Sequence, residues 1–258
     1  EGGPVKQKIA VLTGAFGYSG PYIARELLGR GFKVRTLTNR NPGTGDLAGR
    51  IEVYPMVFDD PGIIRKALRG ADLLVNNYWV RFNHKTFNHH DAVNNTKILF
   101  DAAQKERVGK IVHVSITNPS LDSDLEYFRG KAELEQNLHN RGVPYAILRP
   151  SVLFGGRDIL INNIAWMLRT FPVFGVFGKG EYKLEPIHVE DFAKLAVRVA
   201  PGRKSEIIQA VGPESFSYLD LVRAVGKAIG FPRPIIELPP LLGYWAGKAI
   251  GVWKRDQT

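Results

Sequence analysis

Short apolar runs alternate with helix-period segments through the first 150 residues. Residues 8–14 (KIAVLTG), 32–39 (FKVRTLTN), 51–58 (IEVYPMVF), 72–79 (DLLVNNYW), 110–117 (KIVHVSIT) and 144–150 (PYAILRP) read as strands. Residues 22–31, 63–70 and 94–106, with a segment opening near Tyr127, read as helices. The strands are rich in Val, Ile and Leu and lack strict alternation, which suits a parallel sheet buried on both faces with helices as right-handed crossovers. The predicted class is α/β with a doubly wound parallel sheet.

Beyond Pro150 the pattern loosens into Gly- and Phe-rich turns (LFGG, FPVFGVFGKG) and helical pieces such as DFAKLAVRVA and YLDLVRAVGKAIG. The expected division is a first domain over residues 1–150 and a smaller C-terminal lobe over 151–258. That lobe is expected to fold back over the sheet edge as part of one structural unit and to serve the substrate. The end of the chain, LPPLLGYWAGKAIGVWKRDQT, interleaves Trp245 and Trp253 with Lys248 and Lys254. It reads either as a core-docked helix or as an amphipathic helix facing a membrane or a protein partner.

Composition narrows the function classes. A hydrophobic fraction of 44% in 258 residues supports a sizeable core, and the absence of cysteine excludes disulfides, thiolate metal sites and cysteine nucleophiles. The net charge of +10 is scattered without a Lys/Arg block, so nucleic acid is not the expected partner. No run is long and apolar enough for a membrane span and no signal peptide is visible, so the expected location is cytoplasmic. The missing initiator Met suggests a trimmed start.

The strongest local signal is KIAVLTGAFGYSGPYIARELL. Gly14, Gly17 and Gly20 fall at the turn between the first strand and the first helix, with Phe16 and Tyr18 between them. Glycines there permit tight turning and close approach of a pyrophosphate, whose charge meets the free N–H groups at the helix start. The second strand ends in Asn39 and Arg40 with no nearby acid. An acid at this position binds a ribose 2′-OH, whereas an Arg accommodates a 2′-phosphate, so NADP is favoured over NAD.

Tyr127 precedes Lys131 by one helical turn. A phenol is a poor acid or base near neutral pH unless a cation lowers its pKa, and a Lys four residues on shares its helix face. Ser115 and Thr117, two apart at the end of the preceding strand, point to one side and can orient a substrate oxygen.

GAFGYSG, Arg40, VHVSIT, YFRGK and LRPSVLFGG together resemble the extended or atypical short-chain dehydrogenase/reductase superfamily. The nearest likeness is to its branch of complex I 39 kDa subunit-like and NmrA-like proteins. The resemblance implies a Rossmann fold, NAD(P) on the glycine loop, Tyr127 as proton donor or acceptor and Lys131 on the nicotinamide ribose. It also implies Ser115 or Thr117 as the substrate-oxygen partner and Pro150 beside the nicotinamide. Several positions depart from the family pattern, among them Ala92, which stands where the family has a helix asparagine, with Asn94 and Asn95 near. Val57 and Phe58 stand where an acid usually precedes the adenine contact, leaving Phe58, Asp59 or backbone groups for the adenine. VNNYW replaces a small residue, which brings Asn77, Tyr78 and Trp79 close to the cofactor. The connection from Thr117 to Tyr127 is short, nine residues.

His84, His89 and His90 lack a metal-ligand spacing and read as surface loop, so no metal is expected. His188 reads as a strand-to-helix junction, with Glu190 and Asp191 suited to a helix start. The functional expectation is an NAD(P)-dependent oxidoreductase or an epimerase/dehydratase-like enzyme acting on a small molecule. The alternative is a non-catalytic NADP(H)-binding structural or redox-sensing protein that docks on a partner or membrane.

Overall fold

The computed structural model describes residues 7–79 and 88–239. In chain order its elements begin with β1 (Ile9–Thr13), α1 (Gly20–Gly29), β2 (Lys33–Leu37), β3 (Glu52–Tyr54), α2 (Pro61–Leu68), β4 (Leu73–Asn76) and α3 (His89–Lys105). They continue with β5 (Lys110–Val114), α4 (Glu126–His139), β6 (Tyr145–Pro150), β7 (Val152–Phe154), α5 (Leu160–Thr170), β8 (Phe174–Phe177) and β9 (Lys183–Leu184). The last are β10 (Pro186–His188), α6 (Val189–Arg198), β11 (Glu206–Ala210), β12 (Phe216–Ser217), α7 (Tyr218–Ala228) and β13 (Ile235–Leu238).

Seven strands form one parallel sheet in the order β11-β6-β5-β4-β1-β2-β3. The order reverses between β1 and β4, the switch point at which doubly wound sheets bind ligands beyond the strand C-termini. Helices cover both faces because the central strands are apolar on both. One core joins Leu12, Val75 and Leu148 to Ile23 and Leu27 of α1 and Phe192 of α6. The other joins Val11, Leu74 and Ile147 to Ile64 of α2, Phe100 of α3 and Leu134 of α4. Each such fully buried side chain contributes about 1.5–3 kcal/mol relative to exposure.

The compact units do not follow a single division at residue 150. One unit is Glu1–Leu153 with Ile187–Val211, and the other is Phe154–Pro186 with Gly212–Thr258. The chain returns to the first unit because α6 carries a buried stripe of Val189, Phe192, Ala193, Ala196 and Val197, and because β11 adds the seventh strand beside β6. His188 caps α6, its Nδ1 accepting from the Glu190 amide at 3.4 Å, with Glu190 and Asp191 in the first turn. The second unit has its own core, in which Ile164 and Leu168 of α5 pack with Val222 and Val225 of α7 and Phe174 and Val176 of β8. Trp166, Phe171, Phe177 and Tyr182 of this unit are exposed.

Two boundaries differ from expectation. Helix α3 starts at His89, five residues before the expected Asn94, because the Asn88 side chain caps it by accepting the Asp91 amide at 2.8 Å. Strand β5 ends at Val114, short of Ser115 and Thr117, although their amides still bond the Leu148 and Pro150 carbonyls of β6 at 2.7 and 3.2 Å.

Candidate functional site: a dinucleotide cradle at the switch point

The turn after β1 is built by its glycines. Gly14 adopts φ +70° and donates its amide to the Leu37 carbonyl at 2.9 Å, and Gly17 N–H folds back on the Gly14 carbonyl at 2.9 Å. A Cβ on Gly20 would lie 2.1 Å from that carbonyl oxygen and one on Gly17 would lie 3.2 Å from it. The turn therefore closes only with glycine at position 20. Ser19 occupies the N-cap of α1 without capping it: its hydroxyl pairs with the Asn77 side chain at 3.0–3.2 Å, and the first turn holds no acidic residue. Pro21 removes one donor from this helix start, and no side chain caps the remaining first-turn amides, which lie next to the loop with half-buried Phe16 and Tyr18, an arrangement suited to a pyrophosphate.

On the β2 side of the turn, a shallow, solvent-open depression of about 540 Å³ lies beside Thr38, Asn39, Arg40, Val53 and Pro55. Arg40 is exposed on its rim. The Asn39 amide is committed elsewhere: it accepts the Met56 amide at 2.9 Å and donates to the Met56 carbonyl at 3.0 Å, clamping the ends of β2 and β3. Phe58 stands 5.2 Å from the Tyr78 ring, Asp59 is exposed, and Asp60 caps α2 through the Gly62 amide at 3.0 Å.

On the other side, the end of β4 is fixed by a buried polar chain. Asn76 Oδ1 accepts from Thr13 Oγ1 and from the Tyr78 amide, both at 3.2 Å, which turns its Nδ2 toward His113 Nδ1 at 3.0 Å. That orientation makes His113 Nδ1 the acceptor and places the proton on Nε2, beside the Phe100 ring. Burial holds the His113 imidazole well below its ordinary pKa, and the Lys131 charge acts in the same direction. The Asn77 amide donates to Thr13 Oγ1 at 2.8 Å, and Asn95 of α3 donates to the Tyr78 hydroxyl at 3.1 Å. Burial raises the Tyr78 phenol, opposed by the Asn95 bond.

Tyr127 and Lys131 lie on α4 as spaced, and the structure adds two aromatic partners. The Trp79 indole stacks on His89 (5.8 Å, 17°) and meets the Tyr127 ring edge-on (5.8 Å, 64°). Lys131 Nζ sits 4.1 Å from an indole ring centroid and donates to the Val114 carbonyl at 2.9 Å. Lys131 is 2% exposed, and burial lowers its ammonium to a pKa of about 7, with Glu135 acting oppositely. Ser115 is turned away from this cluster. Its hydroxyl donates to Glu135 Oε1 at 2.5 Å, and Arg149 grips the same carboxylate through Nε at 3.1 Å and Nη2 at 2.5 Å. Thr117 is half-buried beyond β5, and Pro150 is buried at the end of β6.

His89, expected on a surface loop, is instead buried in the aromatic cluster because α3 begins there. Glu135 was also missed, although its place one turn beyond Lys131 on α4 is a readable signal. His84 and the Trp-containing segment 240–258 lie outside the described residues. Among the described residues no group of metal-ligating side chains comes together, and no helix is long and apolar enough to cross a membrane.

The comparisons agree with this geometry. Residues 14–162, more than half of the chain, match the family model described as NAD(P)H-binding. The chain belongs to this NAD(P)H-binding family. Its cofactor is NAD(P). A mitochondrial NADH dehydrogenase (ubiquinone) 1 alpha subcomplex subunit 9 from Dictyostelium discoideum is 26% identical over 226 residues, covering 83% of this chain and 63% of that protein. The mitochondrial NADH-ubiquinone oxidoreductase 40 kDa subunit of Neurospora crassa is 25% identical, covering 89% of this chain and 62% of that protein. The chain thus spans about three fifths of the length of these relatives. The photosystem II assembly factor Ycf39 of Cyanidium caldarium is 22% identical, covering 93% and 78%. Among solved structures, UDP-N-acetylglucosamine 4-epimerase from Bacillus cereus shares the fold, with a TM-score of 0.74 at 18% identity over 90% of this chain and 86% of that one.

Proposed function

We infer that this protein binds NADP(H) as a fixed structural element and works as a component or assembly partner of a larger protein complex. The observation that carries this reading is the commitment of Lys131 and Ser115. The Lys131 ammonium is buried against the Val114 carbonyl and the Trp79 indole, and burial lowers its pKa to about 7, so it is a weaker cationic partner for Tyr127 than an exposed lysine would be. Ser115 is spent on Glu135. The bound nicotinamide group would supply hydride chemistry. In this chain the glycine turn would hold the pyrophosphate and Arg40 would meet the adenosine 2′-phosphate. Support for a protein partner comes from relatives named as subunits of one complex and as the assembly factor of another.

A reductase or epimerase reading is favoured by one observation, the place of Tyr127 in the first turn of α4 one turn before Lys131. In it Tyr127 exchanges a proton with a small-molecule carbonyl or hydroxyl, and Thr117 rather than Ser115 steadies the oxygen.

Mass spectrometry of the nucleotide that co-purifies with the full chain, paired with thermal unfolding, tests the binding reading. NADP(H) should be recovered, and added NADPH at one hundred times Kd should stabilise the fold by about 2.7 kcal/mol. Unfolding unmoved by NADPH and by NADH would contradict it.

A further inference from the structure

We propose that Trp79 plugs the nicotinamide half of the cradle, so that the ligand recognised is the adenosine half of the dinucleotide and 2′-phospho-ADP-ribose binds nearly as well as NADP. The inference rests on the nucleotide-binding reading above and names the ligand class of that same site.

The sheet order sets the direction of the ligand. The glycine turn follows β1, with Arg40 beyond the neighbouring β2 on one side and Trp79, Tyr127 and Lys131 beyond β4 and β5 on the other. A dinucleotide whose pyrophosphate meets the turn would run its adenosine toward Arg40 and its nicotinamide toward Trp79.

The indole holds the space on that second side. It touches both groups that a nicotinamide ribose would need, with the Lys131 ammonium 4.1 Å from the ring centroid and the Tyr127 ring edge-on at 5.8 Å. Its seat is also built from neighbouring elements. Gly130, a helix-unfavourable residue in the interior of α4, is where a Cβ would come within 2.9 Å of Val93 Cγ2 and 3.5 Å of Trp79 Cη2. Glycine at this position is what lets Val93 pack against α4, and the indole lies at ordinary van der Waals distance from the same point. His89 stacks on the indole at 5.8 Å and 17°.

The backbone leading to the indole is pinned as well. The Asn77 amide is tied to Thr13 Oγ1, the Tyr78 amide to Asn76 Oδ1 and the Tyr78 hydroxyl to Asn95. Entry of a nicotinamide ring therefore requires loss of a stacked, cation-bearing aromatic contact, whereas the surface beside Arg40 on the adenosine side is open to solvent. The nicotinamide ring brings little net affinity under that condition.

The test is calorimetric titration of the wild type, Trp79→Ala and Trp79→Phe with NADP and with 2′-phospho-ADP-ribose, each variant first checked for cooperative unfolding. In the wild type the two affinities should agree within about threefold. Trp79→Ala should bind NADP about tenfold more tightly with 2′-phospho-ADP-ribose unchanged. Trp79→Phe, which keeps a smaller ring in the seat, should gain less and covers the case in which the alanine variant fails to fold. A wild-type preference for NADP above about tenfold, or variants that bind NADP no better, would overturn the plug while leaving nucleotide binding intact. Failure of the wild type to bind either ligand would overturn the nucleotide-binding reading itself, and the plug with it.

Discussion

Lys131 Nζ and the carbonyl oxygen of Val114 lie 2.9 Å apart, tying the middle of α4 to the end of β5. This bond turns the ammonium inward, and burial lowers its pKa from 10.5 to about 7. Between those two values the unfolded chain binds more protons than the folded one, so the cost of burying this group is full below pH 7 and is relieved as the pH rises toward 10.5. The thermal midpoint of the wild type relative to Lys131→Met should be flat from about pH 5.5 to 7 and climb from about pH 7 to 9.5. A difference that falls across the upper window would show that the ammonium is not buried as described.

The Ser115–Glu135–Arg149 group binds α4 to β6 and the segment after β5. Removing one partner of a buried ion pair strands the other, so Glu135→Ala should cost about 3–5 kcal/mol in urea unfolding. Ser115→Ala, which loses one bond to a charged acceptor, should cost about 1.5–3 kcal/mol. Its affinity for NADPH should stay within about twofold of the wild type. A tenfold loss of NADPH affinity in Ser115→Ala would instead assign that hydroxyl to the cofactor.

Two glycines of α1 make a matched comparison. At Gly20 a Cβ meets the Gly14 carbonyl oxygen at 2.1 Å, whereas at Gly29 it meets nothing within 4 Å. Gly20→Ala should reduce NADPH affinity at least about tenfold, because the turn must shift away from the helix start. Gly29→Ala should leave affinity unchanged and stabilise the fold by up to about 1 kcal/mol. Calorimetry and thermal unfolding of the two variants read both effects.

Arg40 carries the case for NADP. Arg40→Ala should weaken NADP about tenfold or more with NAD affinity unchanged, and the wild-type preference should shrink as salt is raised. Equal NADP and NAD affinities in the wild type and in the variant would remove the 2′-phosphate contact.

The legible features were those written locally. The glycine turn is encoded within seven residues, the Tyr127–Lys131 pair within one helical turn, and the strands by apolar runs that a doubly covered parallel sheet requires. Features fixed by distant neighbours were not legible. Ser115 read as a substrate contact because Glu135, twenty residues on, and Arg149, on the next strand, claim it only after folding. His89 read as loop because its value lies in a stacking partner, Trp79, brought from the end of β4. The return of residues 187–211 to the first unit was hidden for a similar reason. EIIQA is too short to be told from a loop-edge strand until β6 is available to pair with it.

The central claim is that the chain holds NADP(H) without turning it over. Its most direct test follows the reduced-nicotinamide absorbance of protein-bound NADPH during incubation with a broad panel of aldehydes, ketones and nucleotide sugars. NADPH should stay bound and its absorbance should decay no faster than in protein-free controls, for the wild type and Tyr127→Phe alike. Protein-dependent NADPH oxidation that disappears in Tyr127→Phe would contradict it and establish Tyr127 as a working acid.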